Sequence, residues 1–142
     1  MKLQEIYDQS VSGVLQQGDR STSYTGMCAL RGTSGKKCAV GHLIADEDYI
    51  ASMEDDAFMD DFEDFPIGKR VEQFKAEKAK FAEALEKTIG EIDVIKLDLL
   101  SKLQAAHDDN IEIKEMADDF SRVAKKFNLS NAVVTKHQKE GD

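Results

Sequence analysis

The chain has 142 residues, 41% of them hydrophobic and 33% charged, with a formal net charge of −9. That length suits one domain around a single core and leaves little room for a second. No apolar run approaches the roughly 18–20 residues of a membrane span, so a spanning segment is excluded from the reading.

The first residues, Met1-Lys-Leu-Gln-Glu-Ile, lack the apolar core of a signal peptide, and two cysteines without an export signal fit a reducing compartment. The expectation is a soluble intracellular protein without a structural disulfide. Charge is unevenly placed. Between Lys37 and Lys69 there is no Lys or Arg, yet Asp46, Glu47, Asp48, Glu54, Asp55, Asp56, Asp60, Asp61, Glu63 and Asp64 all fall there. Outside that interval the balance is 19 basic to 18 acidic residues. An acidic face repels a phosphate backbone, so it disfavours direct nucleic-acid binding and favours a basic partner or a cation.

In chain order, Leu3, Ile6, Tyr7, Val14 and Leu15 recur at helical spacing and predict a helix over 2–17, with Gly18 as its left-handed cap. Residues 19–26 are polar and read as a loop. Met27–Arg31 and Lys36–Val40 flank Gly32-Thr-Ser-Gly35, which predicts a small β-hairpin over 27–40. A helical turn is expected from His42 to about Tyr49. An acidic loop, 46–67, then carries Phe58, Met59, Phe62, Phe65 and Ile67 among its carboxylates and ends at Pro66-Ile-Gly68. It reads either as a solvated loop docking a few aromatics on the core, or as a partner-binding strip.

From Lys69 the pattern is helical. Val71, Phe74, Phe81, Leu85, Ile92, Ile95, Leu99 and Ala106 form a seam interrupted by Lys78, Thr88 and Lys102. Thr88-Ile-Gly-Glu91 has capping-box form and favours two helices, about 69–88 and 90–107, over one. A Glu83–Lys87 pair would brace the first. The second is apolar on more than one face and is predicted to be the buried central helix. Asp109 or Asn110 can cap a last helix over 111–127. Residues 130–142 read as a flexible tail. The expected fold is mainly α (α+β): a compact helical domain, 1–129, of four to five helices with one hairpin.

Chemistry concentrates near the hairpin. Cys28, Cys38, His42 and His107 are zinc ligand types, and Cys38-x3-His42 would put two of them on one side of a helical turn. Hairpin register decides whether Cys28 and Cys38 share a face. The competing reading is two buried apolar cysteines and a hydrogen-bonded histidine. Cys38 with His107 and Asp108 offers nucleophile, base and orienter for a thiol enzyme, although neighbours on a helix point to different sides. Asp108-x-Asn110-x-Glu112 lacks the glycine of a calcium loop, and Gly35-Lys36-Lys37 lacks a phosphate-loop context. Lys36 and Lys37 read as turn charges answering nearby carboxylates.

The string Cys28-x-Leu-Arg31-Gly…Gly35-Lys-Lys-Cys38-Ala-Val-Gly-His42-Leu-Ile-x-Asp46-Glu47-x-Tyr49, followed by Met53-Glu54, resembles a motif of small uncharacterised bacteriophage and prophage proteins. Leu99-Leu100-x-x-Leu103-Gln104-x-x-His107-Asp108 and Val123-Ala124-x-x-Phe127-x-Leu129 are similar to their later segments. Together these cover about a third of the chain. Ala45 stands where a proline is common, and region 54–88 looks enlarged. The resemblance implies Cys or His at the position of His42, a phage accessory role and a host-cytoplasmic location, but no established activity.

The leading functional expectation is a non-catalytic phage-type protein that binds a basic host or viral protein, with nucleic-acid mimicry as a special case. Asp55, Asp56, Phe58, Asp60, Asp61, Phe62, Glu63, Asp64 and Phe65 would form its binding strip. The alternatives are a metal or thiol site at Cys28, Cys38, His42 and His107, and a structural homodimer through the 71–106 seam.

Overall fold

The computed structural model describes residues 1–56 and 65–140. Six α-helices are found among them: α1 (Leu3–Gln17), α2 (Arg70–Glu77), α3 (Ala79–Ile89), α4 (Val94–Asp108), α5 (Ile113–Lys126) and α6 (Ala132–Glu140). Short 3₁₀ turns, including Val40–Leu43 and Ala51–Asp56, connect α1 to the helical part of the chain. None of the described helices is long and apolar enough to cross a membrane.

The hub is α1. Its apolar positions Ile6, Tyr7, Val11, Val14 and Leu15 are buried, and it packs against α4, α5, α6 and the Val40–Leu43 turn. Tyr7 donates its hydroxyl to the Phe120 carbonyl at 2.8 Å, and Ser10 donates to the Ala39 carbonyl at 2.8 Å. These bonds satisfy the polar atoms that the packing buries. Gly18 ends the helix with φ 76° and bonds back to Val14 and Leu15, as the sequence predicts.

α4 is the buried central helix. Leu97, Leu99, Leu100 and Leu103 are at most 3% exposed, each contributing roughly 1.5–3 kcal/mol by leaving water. Its N-cap is Asp93, which accepts from the Lys96 amide at 2.8 Å, so the capping box expected at Thr88–Glu91 is not used.

The preceding region is two helices rather than one. The break falls at Lys78 (φ −128°, ψ 46°), a polar interruption of the seam. Lys78 is 7% exposed, and a buried ammonium needs acceptors; its Nζ donates to the Asp56 carbonyl at 3.0 Å. Across the break Phe74 and Phe81 meet edge to face, with centroids 6.1 Å apart. Lys87 pairs with Asp48 at 3.5 Å instead of Glu83.

The seam itself is consumed inside the chain. Phe74, Phe81, Leu85, Ile92, Leu99 and Ala106 are buried, whereas Ile95 is 53% exposed. No apolar stripe remains there for the expected homodimer. Within the expected tail, residues Ala132–Glu140 form α6, which places the fully buried Val134 on the core. α5 starts without a side-chain cap, and Asn110 instead donates to the Ala106 carbonyl and to Asp119.

The β-hairpin over 27–40 is not formed. Four of its amides are bound elsewhere: Leu30 and Arg31 donate to Glu54, Lys37 to Gln17 and Val40 to Gln104, and only the turn bond from Gly32 to the Lys36 carbonyl joins the two flanks directly. Gly32-Thr-Ser-Gly35 makes a 3₁₀ turn, and a single antiparallel bridge joins Thr22 to Cys28. The mainly α reading therefore stands without its β component.

Candidate functional site

The glycine- and cysteine-bearing block is held by two polar clusters. The first is centred on Arg31 and Glu54. The Glu54 carboxylate accepts the Leu30 and Arg31 amides at 2.8 and 3.1 Å, and also the Tyr49 hydroxyl. The Arg31 guanidinium donates to the carbonyls of Leu30, Gly41 and Ile44 at 3.2, 3.0 and 2.8 Å. It also pairs with Asp46 at 3.1 Å and lies over the Tyr49 ring, 4.8 Å from its centroid. Burial, then the bond to Glu54, pushes the Tyr49 hydroxyl up to about 12.

Gly41 is required by this closeness: a Cβ there would sit 2.6 Å from the Leu30 carbonyl oxygen. Lys37 adds a second cation on Asp46 at 3.1 Å, and Lys36 pairs with Asp19 at 2.8 Å. Both turn lysines thus answer carboxylates, as expected. Lys37 and Arg31 hold the Asp46 carboxyl below its usual range.

The second cluster joins the block to the C-terminal end of α4. Ser21 donates its amide to His107 Nε2 at 2.9 Å, and His107 Nδ1 lies 2.9 Å from Asp108. A backbone N–H can only donate, so Nε2 is the acceptor and the ring proton sits on Nδ1, directed at Asp108. Gln104 donates to Asp108 at 2.8 Å while accepting from the Val40 amide at 3.0 Å. The downstream residues Gln104, His107 and Asp108 are therefore pins that fasten Ser21, just before the block, and Val40, inside it, to α4.

Cys28 joins this cluster: its Sγ lies with His107 and Asp108 ligand atoms within 4.8 Å of one another. Arg20 donates to that sulfur at 3.4 Å. Desolvation first, then the Asp108 charge and hydrogen bond, push the Cys28 thiol up to about 11.

Of the four expected zinc ligands, only Cys28 and His107 come together, and Asp108 is the third member that the sequence reading left out of the ligand set. Cys38 is fully buried, and desolvation pushes its thiol up to about 12. His42 packs on α1 instead. Its Nε2 meets Gln17 Oε1 at 3.1 Å, and its ring fills the space beside Gly13. Burial, then the Lys37 and Arg31 charges, pull it down to about 4.

This arrangement does not fit a resident zinc. One His107 nitrogen accepts the Ser21 amide and the other is the donor to Asp108, so ligation would require breaking one of these bonds. Nor does it fit a thiol enzyme. Asp108 does orient His107, contrary to the sequence argument, but Cys38 is enclosed and the Cys28 proton is held by Asp108 rather than taken by an imidazole. The geometry is that of a structural hydrogen-bond network.

Phe58, Asp60, Asp61, Phe62, Glu63 and Asp64 of the expected binding strip lie outside the described residues, leaving Asp55, Asp56 and Phe65 at its margins. Chain on both sides is fastened: Lys78 holds the Asp56 carbonyl, and Arg70 Nε donates to the Phe65 carbonyl at 2.8 Å. The motif contains Arg31, Tyr49 and Glu54, whose structural role the residue pattern does not announce. Their signal was a buried-type Arg and Glu bracketing three glycines.

No protein-family model matches the chain, and neither a curated protein nor a solved structure matches it. The resemblance to phage proteins rests on its motif segments alone.

Proposed function

We propose that the protein is a non-catalytic, phage-type accessory protein of the host cytoplasm that binds a basic protein through the acidic-aromatic run 55–65. The observation that carries this reading is the charge distribution. Ten carboxylates stand between Lys37 and Lys69 without one intervening cation. Among the described members, Asp46, Asp48 and Glu54 are tied to internal partners, whereas Glu47, Asp55 and Asp56 form no ion pair with a described residue.

The block between Cys28 and Glu54 would act as the platform. Its Arg31 and Glu54 side chains are committed to its own backbone, and it ends where the acidic run begins. The carboxylates would steer a basic surface into place, and Phe58, Phe62 and Phe65 would anchor it. In the nucleic-acid-mimic form of this reading, the partner is a DNA- or RNA-binding protein whose phosphate contacts the carboxylates replace.

Affinity capture from bacterial lysate tests it, comparing the wild-type chain with Asp55→Asn, Asp56→Asn, Asp60→Asn and Asp61→Asn combined. The expected result is a basic protein held by the wild type, released by salt and displaced by DNA, and absent from the variant. Equal capture by both chains, insensitive to salt, would refute the reading.

A further inference from the structure

The opposite charge is concentrated at the other end of the chain. From Phe120 to Lys139 there are five basic residues, Arg122, Lys125, Lys126, Lys136 and Lys139, and no acidic one. Elsewhere most lysines are engaged: Lys36, Lys37, Lys75, Lys87 and Lys96 each hold a carboxylate or carbonyl. Lys125, Lys126, Lys136 and Lys139 are exposed and hold none among the described residues.

Arg122, Lys125, Lys136 and Lys139 border two adjoining concavities at the α5–α6 junction, and Lys126 is exposed on α5 outside their lining. One, about 490 Å³, is lined by Ser121, Arg122, Lys125 and Asn128 among others; the second, about 550 Å³, by Ser130, Thr135, Lys136 and Lys139. Asn131 belongs to both, so they form one continuous strip. Glu140 is the single carboxylate lining either. Arg122 is shared with Asp119.

We infer that this strip binds the phosphodiester backbone of a nucleic acid without reading its sequence. Lysine, arginine, hydroxyl and amide side chains are the groups that contact phosphate oxygens. The one large apolar side chain of the lining, Leu129, is partly buried against the core, so it is not an exposed anchor of the kind that carries a protein interface or inserts into a lipid surface. Every exposed large hydrophobic side chain among the described residues lies at or before Ile111.

The acidic turn Ala51–Asp56 packs against α3, whereas α6 packs against α1 and α5. At physiological salt a screening length of about 8 Å limits repulsion between separate faces. The sequence expectation of no nucleic-acid contact came from the acidic face and does not extend to this one. The inference is independent of what the acidic run binds.

Fluorescence anisotropy with a labelled oligonucleotide, single- and double-stranded, tests it on the full chain. About four neutralised phosphates imply an affinity that falls about 100-fold between 50 and 200 mM salt. Replacing Lys125, Lys126, Lys136 and Lys139 by Gln should abolish binding at low salt. Replacing the same four by Arg should retain it, and so should Lys80→Gln with Lys114→Gln. All these positions are exposed, and circular dichroism confirms that each variant is folded. No binding by the wild type at low salt would overturn the inference. So would binding unchanged in the Gln variant, or preferential binding to vesicles of phosphatidylcholine with phosphatidylserine.

Discussion

The block from Cys28 to Glu54 and the α5–α6 face treat polar side chains in opposite ways. In the block, Arg31 serves three carbonyls, Glu54 two amides, and Gln104 ties an amide to Asp108. On the α5–α6 face four lysines have no internal partner among the described residues. A polar group bound to its own backbone replaces secondary structure, whereas an uncommitted charge at a concave surface is available to another molecule. Motif density alone would have placed function in the block; bonding places scaffold there.

The largest expected effect follows from breaking that scaffold. Arg31→Ala strands three carbonyls, and Glu54→Ala strands two amides. Each should cost about 2–4 kcal/mol in urea unfolding. Arg31→Lys should recover only part of this, because one ammonium cannot replace the guanidinium fork. A loss below about 0.5 kcal/mol in both alanine variants would mean that the network is not structural.

Next is the contact between α1 and the block. A Cβ at Gly13 would lie 2.5 Å from His42 Nδ1. Gly13→Ala should therefore destabilise by about 1–3 kcal/mol, and His42→Ala in the same chain should relieve part of it. Additive losses in this double-mutant cycle would separate the two residues.

A smaller effect concerns pH. His42 titrates near 4 when folded against an ordinary 6.5, so the unfolded chain takes up the proton first as pH falls. The contribution is complete above about 6.5, declines down to about 4 and is lost below. Because the ring is only partly enclosed, it amounts to on the order of 1–2 kcal/mol. His42→Gln should flatten the stability profile within that window. An unchanged slope would show that the imidazole does not stay neutral.

The smallest effect on the fold, and the sharpest on chemistry, is at the thiols. With Cys28 raised to about 11 and Cys38 to about 12, alkylation by iodoacetamide near neutral pH should be slower than for a free thiol, with Cys38 protected until unfolding. Rapid modification of Cys28 would reopen nucleophilic chemistry.

Helical period read along the chain was enough for α1, its Gly18 end and the buried nature of α4, because these depend on apolar spacing. It was not enough for the hairpin region. There the decisive bonds come from Glu54, Gln104 and Gln17, each at least 20 residues from the amide it accepts, as with Gln17 and Lys37. α6 was hidden because Val134 is its one fully buried side chain, too little to register as a period. Within the candidate site, the pairing of Cys28 with His107 was legible from residue type. The exclusion of Cys38 and His42 depended on strand register that never formed, and the His107–Asp108 bond shows that short neighbouring side chains at a helix end can still meet.

The division between scaffold and binding surface is tested most directly by one comparative capture experiment, run on two variants of matched stability. Cys28→Ser should keep the basic partner, and Asp55→Asn, Asp56→Asn, Asp60→Asn and Asp61→Asn combined should lose it. Loss of the partner with Cys28→Ser and retention with the four asparagines would contradict the account and return function to the cysteine cluster.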